Sequence, residues 1–111
     1  MFEKLKLNKE FRRVYGRGKS LVSPFFVSYV LRQRGEKIRI GITVSKKIGC
    51  AVMRNRAKRL ITAAFYECAP DIKHGCDIVF VVRSRILTKK SYELAEIMKE
   101  HLKQCGVLEE K

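Results

Sequence analysis

Apolar residues recur along the chain with two distinct periods. From residue 38 to residue 45 the period is two: Ile38, Ile40, Ile42 and Val44 alternate with Arg39, Gly41, Thr43 and Ser45. Such alternation predicts a strand with one buried and one polar face, and Gly41 on the polar face leaves room for something to approach the sheet. Further along the period is helical, with Met53, Ala57, Leu60, Ile61, Ala64, Phe65 and Cys68 at i, i+4, i+7, i+8, i+11, i+12 and i+15. This spacing predicts a helix over about Ala51 to Cys68, ended by Pro70.

The other elements follow from the same reasoning. Asn8 is the expected cap of a helix over about Lys9 to Arg17, closed by Gly16 and Gly18 and carrying Phe11, Val14 and Tyr15 at i, i+3 and i+4. A short strand is expected at Lys19 to Val22 and a longer one at 25–31, rich in aromatic and β-branched residues. With a turn at Arg34–Lys37, strands 25–31 and 38–45 read as an antiparallel pair joined by a short loop. The run Ile78–Val82 is apolar on both faces and predicts a central strand within Asp77 to Arg83, parallel to 38–45 across the intervening helix. Ser91 to Gln104 is amphipathic through Tyr92, Leu94, Ala95, Ile97, Met98 and Leu102, with Thr88 as a candidate cap. The order is α-β-β-β-α-β-α, an α+β chain expected to fold as a two-layer α/β sandwich. Its 111 residues suit a single domain over 1–111.

Charge changes this picture from a fold to a surface. Lys and Arg number 25 against 11 Asp and Glu, a net charge of +14. Residues 1–62 hold 17 basic and 3 acidic residues, whereas residues 63–111 hold 8 of each. No acid lies between Glu36 and Glu67, only Lys37, Arg39, Lys46, Lys47, Arg54, Arg56, Lys58 and Arg59. A solvated surface would intersperse acids for solubility, so this concentration points to a polyanion, and nucleic acid is the expected one.

Chemistry by the protein's own side chains is poorly supported. The basic half has no paired carboxylates, the chain has no zinc-protease, phosphate-loop or serine-hydrolase motif, and both histidines, His74 and His101, lie in the neutral half. A nuclease needs carboxylates to hold a metal or a histidine to move a proton, so no catalytic residue is assigned. Asp71 and Asp77 are isolated and read as a turn residue and a strand-entry residue. Cys50, Cys68, Cys76 and Cys105 lack the short paired spacing of structural zinc sites; they read as reduced thiols, and no metal ligands are assigned. Neither a secretory signal nor an apolar run long enough to span a membrane is visible, so a cytoplasmic location without a membrane partner is expected.

The pattern does support recognition of a nucleic-acid backbone. On the long helix the apolar stripe leaves Arg54, Asn55, Arg56, Lys58 and Arg59 on the polar side, a dense edge for phosphate. Lys46 and Lys47 precede the same helix, whose N-terminal amides add anion affinity. Single strands are held by a cationic groove with rings on which bases stack. Phe11, Tyr15 and Tyr29 are the candidate rings, with Arg17 beside the first two; on periodicity alone the commoner outcome for the triplet Phe11, Val14 and Tyr15 is packing on the core.

The run Arg39-Ile40-Gly41-Ile42-Thr43-Val44-Ser45-Lys46-Lys47-Ile48-Gly49, continued by Arg54-Asn55-Arg56-Ala57-Lys58-Arg59, resembles the signature of the bacterial ribonuclease P protein family. Agreement extends upstream through Phe11, Val14, Tyr15, Gly18, Phe26, Val27 and Tyr29, and downstream through Asp77-Ile78-Val79 and Arg83, covering about residues 5–85. The chain departs at Cys50, where the family commonly has Asn, and at Thr62, commonly Arg.

The resemblance implies a small basic subunit of a ribonucleoprotein endonuclease that removes the 5′ leader of precursor tRNA. It implies that a large catalytic RNA performs the hydrolysis with Mg²⁺, that the isolated protein is not catalytic, and that no organic cofactor or protein homo-oligomer is required. It places the single-stranded leader in a cleft between the first helix and the sheet, at Phe11, Tyr15 and Tyr29. Arg54, Asn55, Lys58 and Arg59 would lie beside that cleft, with Arg56 serving the catalytic RNA. The implied fold is like the second domain of ribosomal protein S5, with a left-handed β-α-β crossover.

Overall fold

The structure, a computed structural model, describes residues 3–108. Its centre is β5 (Cys76–Val82), buried along almost its whole length and bonded on both edges. A uniformly apolar strand loses least exposed surface at an edge and most at the middle of a sheet covered on both faces, so burial drives it inward. The remaining strands are β1 (Glu3–Lys4), β2 (Lys19–Val22), β3 (Phe26–Arg32) and β4 (Ile38–Val44), and the sheet order is β1-β4-β5-β3-β2.

This order corrects the expected hairpin. β3 and β4 are not neighbours; β5 lies between them, antiparallel to β3 and parallel to β4. Residues 33–37 therefore arch over the start of β5, a span of two strand spacings, or about 9.6 Å. The arch bonds what it crosses: Gln33 N–H donates to the Gly75 carbonyl (2.8 Å), Gly75 N–H to the Gly35 carbonyl (3.0 Å) and Cys76 N–H to the Lys37 carbonyl (3.0 Å). A β-carbon at Gly75 would meet the Gly35 oxygen at 2.6 Å, so the arch needs glycine there.

The helices are α1 (Asn8–Arg17), α2 (Ala51–Cys68) and α3 (Ser91–Gln104), with short 3-10 turns at Lys46–Ile48, Ala69–Asp71 and Ser84–Thr88. α2 and α3 form the helical layer of the sandwich. Their Ile61, Phe65, Leu94, Met98 and Leu102 close a core with Phe26, Ile40, Ile78 and Phe80 of the sheet. Each such side chain contributes roughly 1.5–3 kcal/mol when fully buried. α1 lies on the opposite face, where Val14 packs with Leu5 and Val79, flanked by Phe11, Tyr29, Leu31 and Val81. No helix among the described residues is long and apolar enough to cross a membrane.

Several local expectations change. Asn8 is the first residue of α1 rather than its cap; Leu7 holds the cap position, and Glu10 reaches back to accept the Leu7 and Lys6 backbone N–H groups at 2.9 and 3.1 Å. A carboxylate in the first turn meets unpaired amides and the positive helix end together, which is why Glu10 supplants Asn8. α3 is likewise closed by Glu93 on the Lys90 N–H (3.1 Å), while Thr88 bonds the Arg85 carbonyl inside the preceding 3-10 turn. Met53 and Tyr92, counted with the apolar stripes, are exposed, because each stands in the first turn of its helix ahead of the packed stretch. β1 has no sequence pattern and forms through parallel pairing of Glu3 and Lys4 with Arg39 and Ile40.

Candidate nucleic-acid interface

Alternation along β4 decides what faces α1. Arg39, Gly41 and Thr43 point to that side, next to Asp77, Val79 and Val81 of β5 in register. A β-carbon on Gly41 would touch the Phe11 ring at 2.5 Å, so what approaches the sheet at this glycine is a side chain of the protein's own first helix. Thr43 Oγ1 lies 3.1 Å from the Tyr15 hydroxyl. Tyr15 also stands edge-on to Tyr29, with ring centroids 4.9 Å apart and planes at 83°.

These contacts build a groove of about 650 Å³ lined by Asn8, Phe11, Arg12, Tyr15, Ile42 and Thr43. Tyr15 is 38% exposed and Phe11 is half-buried, so both rings keep a face toward the groove. Tyr29 is half-buried behind Tyr15 and supports it rather than lining the groove.

Because β1 stops at Lys4, the β4 edge is open from Ile42 onward among the described residues. There a hollow of about 220 Å³, sharing Phe11 and Ile42 with the groove, is walled by Gly41 on one side and by Lys58 and Thr62 of α2 on the other. The groove thus runs round the sheet edge from α1 to the cationic helix. Thr62 also donates to the Lys58 carbonyl at 2.7 Å, which keeps its short side chain at that wall.

On α2, Arg54 is half-buried and Asn55, Arg56, Lys58 and Arg59 are exposed. Among the described residues no carboxylate pairs with any of these four cations or with Lys46 and Lys47, which are exposed on the 3-10 turn anchored by buried Ile48. Arg17 is exposed at the end of α1, outside the groove lining. Sequence reasoning missed Arg12 and Thr43 as groove residues. The signal was present in both cases, since Arg12 is i−3 to Tyr15 and Thr43 stands on the polar face of β4.

One cation of the acid-free stretch is not free. Arg39 donates through Nε and Nη2 to Asp77 at 2.9 and 2.7 Å and through Nη1 to Glu10 at 2.5 Å, and Gln33 Nε2 donates to Asp77 as well. Asp77 does stand at the entry of β5 but is not isolated: it is a buried ion-pair partner. Hydrogen bonds from Leu7 and Lys6, and then Arg39, hold the Glu10 carboxyl below its ordinary pKa, while Asp77 and then Glu10 raise that of Arg39.

The cysteines differ sharply. Burial pushes the Cys68 and Cys76 thiols up to about 12, and Cys68 donates to the Ala95 carbonyl, so neither is presented as a thiolate ligand. Cys50 holds the N-cap position of α2 without a side-chain capping hydrogen bond, and the nearby backbone N–H groups of Met53 and Val52, with help from Arg54, lower its thiol pKa.

Comparison with known proteins matches this chain to one family. A family model described as Ribonuclease P matches residues 1–106. The protein component of ribonuclease P from Caldanaerobacter subterraneus is 40% identical over 108 residues, covering 97% of this chain and 93% of that one. Its counterpart from Clostridium beijerinckii is 40% identical over 114 residues, covering 96% and 91%. Among solved structures, the Staphylococcus aureus RNase P protein superposes with a TM-score of 0.82 at 30% identity, covering 98% of this chain and all of that one. The Thermotoga maritima protein gives 0.79 at 29% identity, covering 92% and 96%.

Proposed function

As the chain belongs to the ribonuclease P protein component family, we propose that its groove holds the single-stranded 5′ leader of precursor tRNA while the acid-free face of α2 binds RNA phosphate. The chain is the protein subunit of the tRNA-processing ribonucleoprotein, which acts as an endoribonuclease in its assembled form, with ribonuclease P RNA and precursor tRNA as partners.

The observation that carries the leader assignment is Tyr15: a ring exposed to the groove, braced edge-on by Tyr29, tied to Thr43 and flanked by Arg12. A braced ring loses little freedom when a base stacks on it, and an adjacent guanidinium neutralises the phosphate that follows. Phe11 offers a second ring one turn earlier. Lys58 at the open edge of β4 continues the cationic path toward Arg54, Asn55, Arg56 and Arg59, and Lys46 and Lys47 extend it past the N-terminus of α2. Arg17 adds charge at the far end of α1.

Magnesium enters this proposal through RNA. Mg²⁺ requires several oxygen ligands in near-octahedral geometry. Among the described residues no three His, Cys, Asp or Glu side chains gather in a metal-binding group, and Glu10 and Asp77, on the sheet face that α1 covers, are both engaged by Arg39. The described residues therefore do not fit a metal centre, and in this reading their task is to bind and orient RNA.

The test is affinity of the assembled holoenzyme for precursor tRNAs of graded leader length. Affinity should rise with each nucleotide that enters the groove and then level off. Affinity independent of leader length would remove the groove from leader binding.

A further inference from the structure

Three residues of one β4 face each meet a different residue of α1: Arg39 pairs with Glu10, Gly41 lies under Phe11 and Thr43 bonds Tyr15. The first contact is built unlike the others. Arg39 holds both carboxylate oxygens of Asp77, which fixes the plane of the guanidinium, and Asp77 is only 1% exposed and held again by Gln33. With that plane fixed at the start of β4 and β5, Nη1 reaches Glu10 at 2.5 Å. Glu10 Oε1 meanwhile accepts the Lys6 and Leu7 N–H groups. A continuous chain of hydrogen bonds thus runs from the β3–β4 arch through β5 and β4 to the first turn of α1.

Phe11 follows Glu10 directly, and Tyr15 stands about one turn beyond Phe11 on the same side of α1. Successive helix positions turn by about 100°, so any slip or rotation at Glu10 moves both rings relative to the sheet. Arg39 is also a cation withdrawn from RNA: of the eight between Glu36 and Glu67, the other seven have no ion pair among the described residues.

We propose that Arg39 is a positioning residue for RNA recognition, which grips Asp77 and Glu10 together and so holds α1 at the height and rotation at which Phe11 and Tyr15 line the groove. This rests on the reading of that groove as the leader site.

Glu10→Gln separates the two ends of the network. It keeps an oxygen for the Lys6 and Leu7 N–H groups and leaves Arg39 on Asp77, but it places a donor opposite Arg39. It also adds one unit of positive charge, which by itself strengthens RNA binding. In the assembled holoenzyme, affinity is measured for precursor tRNA with a several-nucleotide leader and for mature tRNA, with single-turnover cleavage at saturating enzyme and the melting temperature of the protein. The leader's contribution to affinity should fall about three- to thirtyfold, with mature tRNA affinity unchanged or higher and the saturated cleavage rate unchanged. Arg39→Gln should cut the leader's contribution more strongly, with mature tRNA affinity unchanged or slightly lower because a positive charge is lost, and with a lower melting temperature because Asp77 loses its partner.

A folded Glu10→Gln protein with the full leader contribution overturns the proposal. So does an equal loss for both RNAs that tracks the melting temperature, since the network then supports only the fold. Phe11→Ala and Tyr15→Ala are run alongside. If they also leave the leader contribution intact, the groove reading has failed; if they abolish it while Glu10→Gln does not, the failure belongs to Arg39 alone.

Discussion

The Phe11 ring rests on the backbone of Gly41: a β-carbon there would stand 2.5 Å from Cε2 and 2.6 Å from Cζ. One missing methyl group thus sets how deeply the ring sits against β4, and with it the depth of the groove between α1 and the sheet.

Gly41→Ala should push the Phe11 ring outward. Overpacking of this kind costs roughly 1–3 kcal/mol, which denaturant unfolding would register. Leader-dependent affinity should fall as well, because the displaced ring occupies groove volume. Wild-type stability together with wild-type leader affinity would show that the ring moves aside freely.

Tyr15→Ala should weaken binding of precursor tRNA by roughly 1–3 kcal/mol, the worth of one base stacked on a ring, and leave mature tRNA nearly unaffected. Tyr15→Phe removes the Thr43 hydrogen bond but keeps the ring, so it should retain most of the affinity. Equal losses for precursor and mature tRNA from a folded Tyr15→Ala protein would contradict stacking on the leader.

Arg59→Ala tests the cationic face. Arg59 is exposed with no carboxylate partner among the described residues, so its removal should change folding stability by no more than about 0.5 kcal/mol. If it contacts a phosphate, the slope of log K against log salt should shrink by roughly 0.7–0.9 for the RNA subunit or for precursor tRNA. An unchanged slope for both removes Arg59 from the interface.

Stability should also fall in mild acid. His101 is buried, with Nδ1 2.9 Å from Ser28 Oγ, and burial lowers its pKa. The unfolded chain therefore takes up a proton near pH 6.5 that the folded chain resists, and stability present above that pH is lost as pH falls toward the folded pKa. The depressed Glu10 pKa has the same sign but acts only in the lower, carboxylate range. Urea unfolding at pH 7.5 and 5.5 should show the loss, and His101→Asn should reduce it; an equal loss in the variant would assign it to other groups.

The long helix and its two faces were legible because helical periodicity is a local record: the apolar stripe from Ala57 to Cys68 leaves Arg54, Asn55, Arg56, Lys58 and Arg59 no place but the opposite side. The central position of β5 was legible for the same reason, since a strand apolar on both faces must be covered on both. Phe11 and Tyr15 were recognisable as candidates, but their exposure was not. Val14 of the same triplet is fully buried, and only the height of α1 over the sheet separates the three.

The sequence by itself determined which side of each element is apolar, where positive charge accumulates, and the family to which the pattern belongs, because spacing and composition are properties of neighbouring residues. Tertiary structure decided which strands pair and which charges meet. β3 and β4 are joined by five residues yet separated by β5, because a strand's backbone groups are satisfied by whichever neighbour buries the most apolar surface, not by the nearest in sequence. Arg39 looked unpaired in a stretch without acids, but its partners Glu10 and Asp77 lie 29 and 38 positions away, brought together only when α1 crosses the sheet. Coulomb attraction acts through space, so a charge's partners are settled by the fold rather than by the local run of residues.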